Sequence, residues 1–303
     1  MLTALLTRAD VSRHMQALHL LRELREALTK RVHAGSTEAL RFDAPLPGGS
    51  TLVQQATLEG LPAYSVTVRG TLHGHTRSVL QLHDSATGKL LAVMDAEHLT
   101  HLRISVLSAV AADVLARADA KRVAVLGSGL AASGPLKALR LVRSLDRVTL
   151  YEPDVAANTE LALRLQSALS TSVRSHDSAE EAVAEADVVL LTGAVTLPSD
   201  VVRPGTHVSV LNAERFTESP LPAALLQRAR KVCDLPSPQV TWPGAFDAEL
   251  GQTLTNQKPG RSSEDEVTVF VSTGPAYLDL LAAWHVYEGA RHDEGLTRLD
   301  LEA

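Results

Sequence analysis

The chain has 303 residues, of which 45% are hydrophobic and 21% charged, and its formal net charge is −6. These values are typical of a globular protein with a large core, and the length favours two domains over one. The acidic balance, without a basic stretch interleaved with aromatic residues, argues against nucleic-acid binding. No run approaches the roughly 20 apolar residues that span a bilayer. The amino end lacks a signal-peptide pattern, so we expect no membrane association and a cytoplasmic location.

Cysteine and histidine usage gives little indication of a reactive or metal-binding site. The single cysteine, Cys233, lies in the strand-like stretch K-V-C-D-L, and we interpret it as a buried apolar residue rather than a nucleophile. The pairs His73/His75 and His98/His101 lack the accompanying carboxylates or cysteines of a metal site. We therefore predict no bound metal.

The first third of the chain changes pattern near residue 41. Residues 11–33 repeat leucines at helical spacing and predict an amphipathic helix. Apolar residues then alternate with polar ones, and this predicts an antiparallel meander that is separate from any nucleotide-binding domain. The predicted strands are 51–57, 63–69, 76–83 and 90–95, followed by a long helix over 96–117.

Residues 122–152 contain the most informative pattern in the sequence. The apolar run 123–126 predicts a strand buried on both faces of a parallel sheet, and it leads directly into the G-x-G-x-x-A turn of residues 127–132. Gly127 permits the tight turn, and Gly129 lets the backbone approach a pyrophosphate. A helix continuing to about residue 147 would offer its N-terminal N–H groups to the phosphates.

A second apolar strand ends in Glu152, which lies 23 residues after Gly129. At this spacing a carboxylate can bind the ribose hydroxyls of an adenine dinucleotide, and it would repel a 2′-phosphate. The pattern therefore predicts a site for NAD(H) rather than NADP(H). The alternative is an ordinary strand–helix–strand turn that binds no ligand.

Strands and helices alternate through the rest of the chain, which predicts a doubly wound parallel sheet. The predicted helices are 156–169, 179–186, 221–230, 246–254 and 274–291, and the predicted strands are 172–175, 186–192, 206–211, 231–235 and 266–271.

Four separated segments, at residues 84–103, 123–132, 203–208 and 258–276, together resemble the ornithine cyclodeaminase and mu-crystallin family. The resemblance implies an α/β fold, with a Rossmann-type NAD-binding domain at residues 118–273. It also implies that this domain is inserted into a discontinuous α+β domain, 1–117 plus 274–303, which binds substrate. In the family the meanders of two subunits pack together, so a homodimer is expected.

Members of that family transfer hydride between a nicotinamide and the Cα of a small amino acid or its imine. Geometry at Cα decides hydride transfer, so the substrate carboxylate needs a clamp, and arginine binds a carboxylate with two parallel bonds. By resemblance, Arg103 is the helix-borne substrate arginine and a catalytic residue, and Arg41 is a second substrate arginine. The alternative for both is a solvated surface arginine.

The sequence departs from the family just before V-T-V (66–68), where the family usually has a lysine. Tyr64 or Ser65 occupies that place, depending on the alignment, and neither supplies a cation. We assign Tyr64 to the substrate site. Arg69 or Arg77 would replace the lysine if the strand turned it inward, although a solvent-facing arginine is the alternative.

Two further departures concern carboxylates. Glu214 stands where the family has an aspartate that assists proton and amine handling, and it is the predicted general base. The alternative interpretation is that Glu214 is an exposed surface residue. Val271 replaces a family aspartate that precedes Ser272. The mu-crystallin branch also lacks the first aspartate and works as an imine reductase, so redox chemistry does not depend on it.

The remaining cofactor contacts are implied by the same resemblance, and they follow the ends of strands or lie in the glycine turn. They are Ser128, Leu130, Ala131, Thr192, Asn212, Ala213 and Ser272.

The sequence thus predicts an NAD(H)-dependent dehydrogenase, ketimine reductase or cyclodeaminase, with NADP a less suitable cofactor. The alternative is a non-catalytic, crystallin-like NAD(P)H-binding protein, because the cofactor turn is intact whereas the substrate site has lost family residues.

Overall fold

The computed structural model describes residues 2–34, 40–127, 133–193, 195–198, 200–211, 213, 216, 218–237, 240 and 242–301, without the side chains of residues 33, 34 and 155. The chain divides into two compact units. Unit 1 comprises Met1–Leu24, Ala34–Arg103 and Pro275–Ala303, and unit 2 comprises Arg25–His33 and Ile104–Gly274. Compact units are not the same as independently folding domains. The domain boundaries predicted from the sequence, at residues 117/118 and 273/274, therefore stay predictions.

The described part of unit 1 is built on a seven-stranded sheet with the order β15-β1-β6-β5-β4-β3-β2. Its strands are β1 (Thr3–Leu6), β2 (Arg41–Leu46), β3 (Gly49–Thr57), β4 (Ala63–Leu72), β5 (His75–Asp84), β6 (Leu90–Asp95) and β15 (Thr297–Leu299). Strands β3 to β6 form the predicted four-stranded antiparallel meander. Strand β2, which was not among the predicted strands, pairs antiparallel to β3, and β1 pairs parallel to β6.

The two faces of this sheet differ in burial because successive side chains point in opposite directions. Ser65 and Leu82 are paired on the buried face, which we call the inner face. Val68 and Val79 are paired on the opposite, outer face, where both are exposed. Helix α9 (Ala276–Ala290) packs on the sheet, and its almost continuous burial places it over the inner face.

The amino-terminal helix is broken into two pieces, contrary to the single helix predicted over 11–33. Helix α1 (Arg8–His14) begins at a capping box, in which Thr7 and Asp10 bond each other's backbone N–H groups. It ends where Met15 adopts an extended conformation, and α2 (Ala17–Ala34) follows. Helix α3 (Ala96–Leu115) matches its predicted position.

The described part of unit 2 contains an eight-stranded, all-parallel sheet with the order β13-β12-β14-β11-β10-β7-β8-β9. Its strands are β7 (Arg122–Leu126), β8 (Arg147–Tyr151), β9 (Ser172–Ser175), β10 (Val188–Leu191), β11 (His207–Val210), β12 (Arg230–Cys233), β13 (Ala248–Glu249) and β14 (Thr268–Val271). The order reverses between β7 and β10, which is the position where ligands bind in such sheets.

The central strands β7 and β10 contribute side chains to two apolar cores, one on each face of the parallel sheet. Val123 and Val125 pack with Leu136 and Leu165 on one face, whereas Leu126 packs with the helices on the other. Those helices are α4 (Ser133–Leu139) and α5 (Val155–Leu169) on the first face, and α6 (Ala179–Val183) and α7 (Ala223–Arg228) on the second. Burial on both faces explains the continuous apolar runs and confirms the predicted Rossmann-type sheet.

Two predicted helices of unit 2 are shorter than expected. Helix α4 ends at Leu139, because Leu141 and Val142 donate to carbonyls only three residues back and so form tight turns. The predicted helix over 246–254 begins instead as β13, and α8 (Leu250–Leu254) starts where Gln252 accepts the backbone N–H of Glu249. Among the helices that the structure describes, none has the length and apolar character needed to cross a membrane.

His207 on β11 is a fully buried polar residue in the centre of the parallel sheet. Its ring nitrogens lie 2.9 Å from Thr268 Oγ1 and 3.0 Å from Ser209 Oγ. Burial, with a smaller contribution from the charges of Arg261 and Arg143, lowers the pKa of His207 to about 3. The folded protein therefore holds this ring neutral throughout the neutral and mildly acidic range.

We predict that His207 makes the free energy of unfolding fall as the pH is lowered below 6.5, its ordinary pKa. The unfolded chain takes up a proton there while the folded chain does not, so stability is lost at up to about 1.4 kcal/mol per pH unit. In urea unfolding, the free energy by which the wild type is more stable than His207→Asn should therefore shrink as the pH is lowered from 6.5 to 4. The exposed His75, replaced in His75→Asn, is the control. Parallel pH profiles for the wild type and His207→Asn would contradict the prediction.

Candidate functional site

The turn that follows β7 requires glycine at its first position. Gly127 has φ +98°, and a Cβ atom there would lie 2.4 Å from the backbone of Gly193, the second residue after β10. Neither the conformation nor the space admits a side chain. The carboxyl ends of β7 and β10 therefore approach closely at the point where the strand order reverses.

Thr192 ties these two strand ends together. Its side chain is buried, and Oγ1 lies 3.4 Å from the Leu126 carbonyl oxygen and 3.3 Å from the Gly127 carbonyl oxygen. The hydroxyl hydrogen is directed to these carbonyls, so the oxygen retains its lone pairs for a donor on a ligand. The role of Thr192 as a cofactor contact stays a prediction.

Glu152 directly follows β8 and carries a carboxylate oxygen that has no partner. Its Oε2 atom is buried and accepts no hydrogen bond within the described structure. Burial raises the pKa of the Glu152 carboxyl, although a hydrogen bond from the Asp154 backbone opposes the shift. A buried acceptor without a donor is costly, and a ligand hydroxyl would satisfy it.

A cavity of about 300 Å³ lies at the same edge of the sheet. Its walls come from the residues around Glu152 in the chain, from the start of α6 and from the segment after β10, namely Tyr151, Pro153, Ser178, Ala179, Glu180, Val195, Thr196 and Pro198. The cavity offers space next to the strand ends where an adenine dinucleotide binds in sheets of this type.

The strand ends on the other side of the switch point are joined by backbone hydrogen bonds. The Ala213 N–H donates to the Ser272 carbonyl, and the Ser272 N–H donates to the Val210 carbonyl. Both predicted cofactor residues, Ala213 and Ser272, are buried. Val271, at the place of the family aspartate, packs into the apolar core, so its side chain contributes no polar contact.

Asp234 is a buried carboxylate that the sequence reasoning did not identify. It follows β12 and accepts hydrogen bonds from Ser272 and Thr273, the first two residues after β14. The signal was present, because Asp234 is an acid at the carboxyl end of an apolar strand, as is Glu152. The preceding Cys233 is buried and free, and burial, with a smaller contribution from Asp234, raises the pKa of its thiol.

Six predicted site residues lie outside the described residues: Ser128, Gly129, Leu130, Ala131, Asn212 and Glu214. Their assigned roles stay predictions. Where the chain is described, no group of three or more histidine, cysteine or acidic residues could hold a metal ion.

In unit 1, Arg103 of α3 places a whole guanidinium group in the interior. Its side chain is fully buried, and Nε donates to Asp279 Oδ1 over 3.0 Å. Nη2 lies 2.9 Å from the same oxygen, but it lacks hydrogen-bond geometry, and Nη1 has no acceptor in the described structure. The Asp279 carboxylate therefore neutralises the guanidinium charge. The outer edge of the guanidinium, formed by Nη1 and Nη2, donates no hydrogen bond within the described structure. A substrate carboxylate is an acceptor that would satisfy them.

Asp279 is a second residue that sequence reasoning missed. It is a buried acid within residues 276–284, the otherwise apolar first part of helix α9. A charge in such a helix requires a partner, and this requirement was visible in the sequence A-Y-L-D-L-L-A-A. The identity of the partner was not visible, because Arg103 and Asp279 are 176 residues apart.

Arg41, the other predicted clamp, is on β2 and is engaged by its own strand. Its Nε lies 2.8 Å from Asp43 Oδ2 and its Nη2 lies 3.2 Å from Asp43 Oδ1. Asp43 thus occupies the Nε–Nη2 edge of the Arg41 guanidinium. A role in substrate binding stays a prediction for Arg41.

Strand parity separates the two alternatives for the missing family lysine. Tyr64 is on the outer face, where its ring stacks on His83 with centroids 4.8 Å apart. Ser65 is buried on the inner face, on which α9 packs. This favours Ser65 for the position of the lysine, and the assignment of Tyr64 to the substrate site stays a prediction. By the same alternation Arg69 belongs to the inner face and Arg77 to the outer face.

The sequence profile of the ornithine cyclodeaminase/mu-crystallin family matches residues 1–294. A Delta(1)-pyrroline-2-carboxylate reductase of Bacillus cereus is 31% identical over 271 residues, which are 80% of this chain and 82% of that protein. The ketimine reductase mu-crystallin of Mus musculus is 30% identical over 257 residues, which are 82% of this chain and 80% of that protein.

Among solved structures, the Delta(1)-pyrroline-2-carboxylate reductase of Thermococcus litoralis, in complex with NADH and L-proline, superposes with a TM-score of 0.85. The match covers 98% of this chain and 100% of that one at 23% identity, so it establishes a common fold. With the family match over nearly the whole length, these findings show that the chain belongs to the ornithine cyclodeaminase/mu-crystallin family.

Proposed function

We propose that the protein is an NAD(H)-dependent oxidoreductase that acts at the Cα–N bond of a small α-amino acid or the corresponding imine. The observation that carries this proposal is the fully buried guanidinium of Arg103, whose outer edge has donors without an acceptor among the described residues. A protein that does not bind an anion has no use for such a group, because burying an incompletely bonded charge is costly. The relatives named as pyrroline-2-carboxylate and ketimine reductases act on substrates of this class.

The described residues fit an adenine dinucleotide. Gly127 keeps the first turn free of a side chain, and Glu152 offers a buried, unpaired acceptor for ribose hydroxyls. The same carboxylate would repel a 2′-phosphate, which favours NAD(H) over NADP(H). The solved relative with NADH supports this choice. When bound, the cofactor supplies or accepts the hydride.

The chain's own residues hold the substrate and move the proton. Arg103 would bind the α-carboxylate with the edge that Asp279 leaves open, and this would fix the position of Cα. Burial strengthens that ion pair, since there is little water to screen it. Reduction of an imine adds hydride to Cα and a proton to nitrogen, and Glu214 is the predicted source of the proton.

Imine reduction or amino-acid oxidation is favoured over cyclodeamination. The inner-face position of the family lysine carries the neutral Ser65, and the position before Ser272 carries the apolar Val271. Loss of these charged groups removes aids to amine handling but leaves the carboxylate clamp and the cofactor site. A protein that only binds NAD(P)H, in the manner of a crystallin, is the competing function.

A homodimer is part of the proposal because the outer face of the unit 1 sheet is apolar and exposed. Its exposed members are Phe42, Leu46, Val68, Leu72 and Val79. An apolar patch on one sheet face is typical of a surface that packs against a second copy. We also propose a cytoplasmic location, where pools of NAD(H) and amino acids are available to such an enzyme.

The first test is turnover by the wild-type protein and by Arg103→Lys. NADH oxidation is followed with Delta(1)-pyrroline-2-carboxylate and its six-membered homologue, and NAD reduction with proline, alanine and ornithine. Lysine keeps the charge but cannot form two parallel bonds. We expect kcat/KM to fall at least about 100-fold in Arg103→Lys, as for the loss of one to two charged hydrogen bonds.

Arg147→Lys is the matched control, because Arg147 forms a surface ion pair with Glu185. It should retain wild-type kinetics. Full activity in Arg103→Lys would remove the clamp from the proposal. If the wild type binds NADH tightly and turns over none of the substrates, the competing, binding-only function is favoured.

A second prediction concerns the choice of cofactor. In Glu152→Gln the ribose hydroxyls lose a charged acceptor, so the Kd of NADH should rise about tenfold. The Kd of NADPH divided by the Kd of NADH should fall by at least about tenfold. Fluorescence titration measures both. Asp154→Asn removes an equal charge two residues away, at the N-cap of α5, and should preserve the ratio. An unchanged ratio in Glu152→Gln would contradict the assignment.

A third prediction concerns the dimer. Val68→Glu places a charge on the outer face, and it should shift the mass in light scattering from twice the 32.3 kDa of the chain towards one chain. Leu163→Glu is the control, since Leu163 of α5 is even more exposed, at 68% against 40% for Val68. A Val68→Glu protein that remains dimeric would exclude this face as the interface.

A further inference from the structure

Asp234 and Ser272 lie side by side at the carboxyl edge of the parallel sheet. Strands β12 and β14 are neighbours, with Cys233 paired to Val271, so the residues that follow these two are in register. Asp234 is 2% exposed and Ser272 is 1% exposed. The carboxylate is thus part of the structure of the 272–274 loop.

The carboxylate of Asp234 accepts several hydrogen bonds at each of its two oxygens. Oδ1 accepts from the Thr273 N–H (2.8 Å), the Thr273 hydroxyl (2.7 Å) and the Leu235 N–H (2.9 Å), and Oδ2 accepts from the Ser272 hydroxyl (3.1 Å) and the Gly274 N–H (3.4 Å). Among the described residues, five donors therefore converge on this side chain.

This network fixes the direction of the Ser272 hydroxyl. Backbone N–H groups only donate, so both oxygens of Asp234 act as acceptors, and the Ser272 hydrogen must point towards Oδ2. The hydroxyl hydrogen of Thr273 is also used, because Asp234 Oδ1 and the Leu235 carbonyl oxygen, 2.6 Å away, are both acceptors. Ser272 Oγ consequently offers only lone pairs to a ligand.

We propose that Asp234 is a positioning residue which makes Ser272 a hydrogen-bond acceptor for the carboxamide amino group of the bound nicotinamide. This inference rests on the proposed NAD(H)-dependent function. The carboxamide amino group carries the only polar N–H donors on the nicotinamide ring, and an acceptor with a fixed lone pair selects it. Binding this group sets the rotation of the ring about its glycosidic bond, and hence the ring face from which hydride leaves. Asp234 thereby supplies a carboxylate to this loop, which follows Val271, the residue that stands where the family has an aspartate.

The test compares NADH with reduced 3-acetylpyridine adenine dinucleotide, in which a methyl group replaces the carboxamide amino group. We expect the wild type to bind NADH at least about tenfold more tightly than the analogue, as for one hydrogen bond to a buried acceptor. In Asp234→Asn the amide oxygen can serve the Oδ1 donors, and its amino group then faces Ser272. The serine hydrogen is released towards the ligand, so the preference for NADH should fall to about twofold or less.

A merely structural role for Asp234 would weaken both ligands equally and preserve the preference, and that result would overturn the proposal. Ser272→Ala removes the acceptor without disturbing the other bonds to Asp234, so it remains informative if Asp234→Asn fails to fold. It should lose the same preference, and a retained preference would also overturn the proposal. Asp247→Asn is the control, because Asp247 accepts the Lys231 N–H away from this edge. If the wild type binds neither ligand, the proposed function itself fails, which is a distinct outcome.

Discussion

Burial of the parallel strands on both faces is the constraint on which unit 2 depends. A strand such as Val123–Leu126 contributes side chains to two cores at once, so helices must cover each side of the sheet. With both faces covered, the strand ends are where a ligand can reach polar groups, and parallel strands bring all their carboxyl ends to one edge. Glu152, Thr192, Asp234 and Ser272 are together at that edge for this reason, although each comes from a different strand.

The interior of unit 1 follows a different rule, because it contains a charge. Arg103 and Asp279 neutralise each other, but a single carboxylate oxygen cannot satisfy all the donors of a guanidinium. Replacing the pair with apolar residues would often be neutral or favourable for stability. An incompletely bonded ion pair is therefore better explained by ligand binding than by folding.

Much of this arrangement could be predicted from the sequence, and the failures have physical causes. The spacing from Gly127 to Glu152 predicted the Rossmann-type sheet, since local geometry carries that information, while the cofactor contacts assigned to it stay predictions. The break after α1 was not visible, because Met15 and Gln16 give no glycine or proline signal. The choice between Tyr64 and Ser65 needed the strand register, in which a shift of one residue exchanges the faces. The partner of Asp279 needed the tertiary fold.

The pairing of Arg41 with Asp43 makes the second arginine a site with a built-in competitor. A carboxylate that binds the Nε–Nη2 edge of Arg41 must displace one that is tethered two residues away and is therefore present at high effective concentration. Partly exposed ion pairs are worth at most about 1 kcal/mol, so the competition weakens an incoming anion by no more than about fivefold. The free energy gained when an incoming acid replaces Asp43 is therefore small, and the acid would bind and dissociate rapidly. Affinity for the substrate acid would accordingly come from the buried arginine, while the edge-strand arginine would tune how quickly an acid enters and leaves.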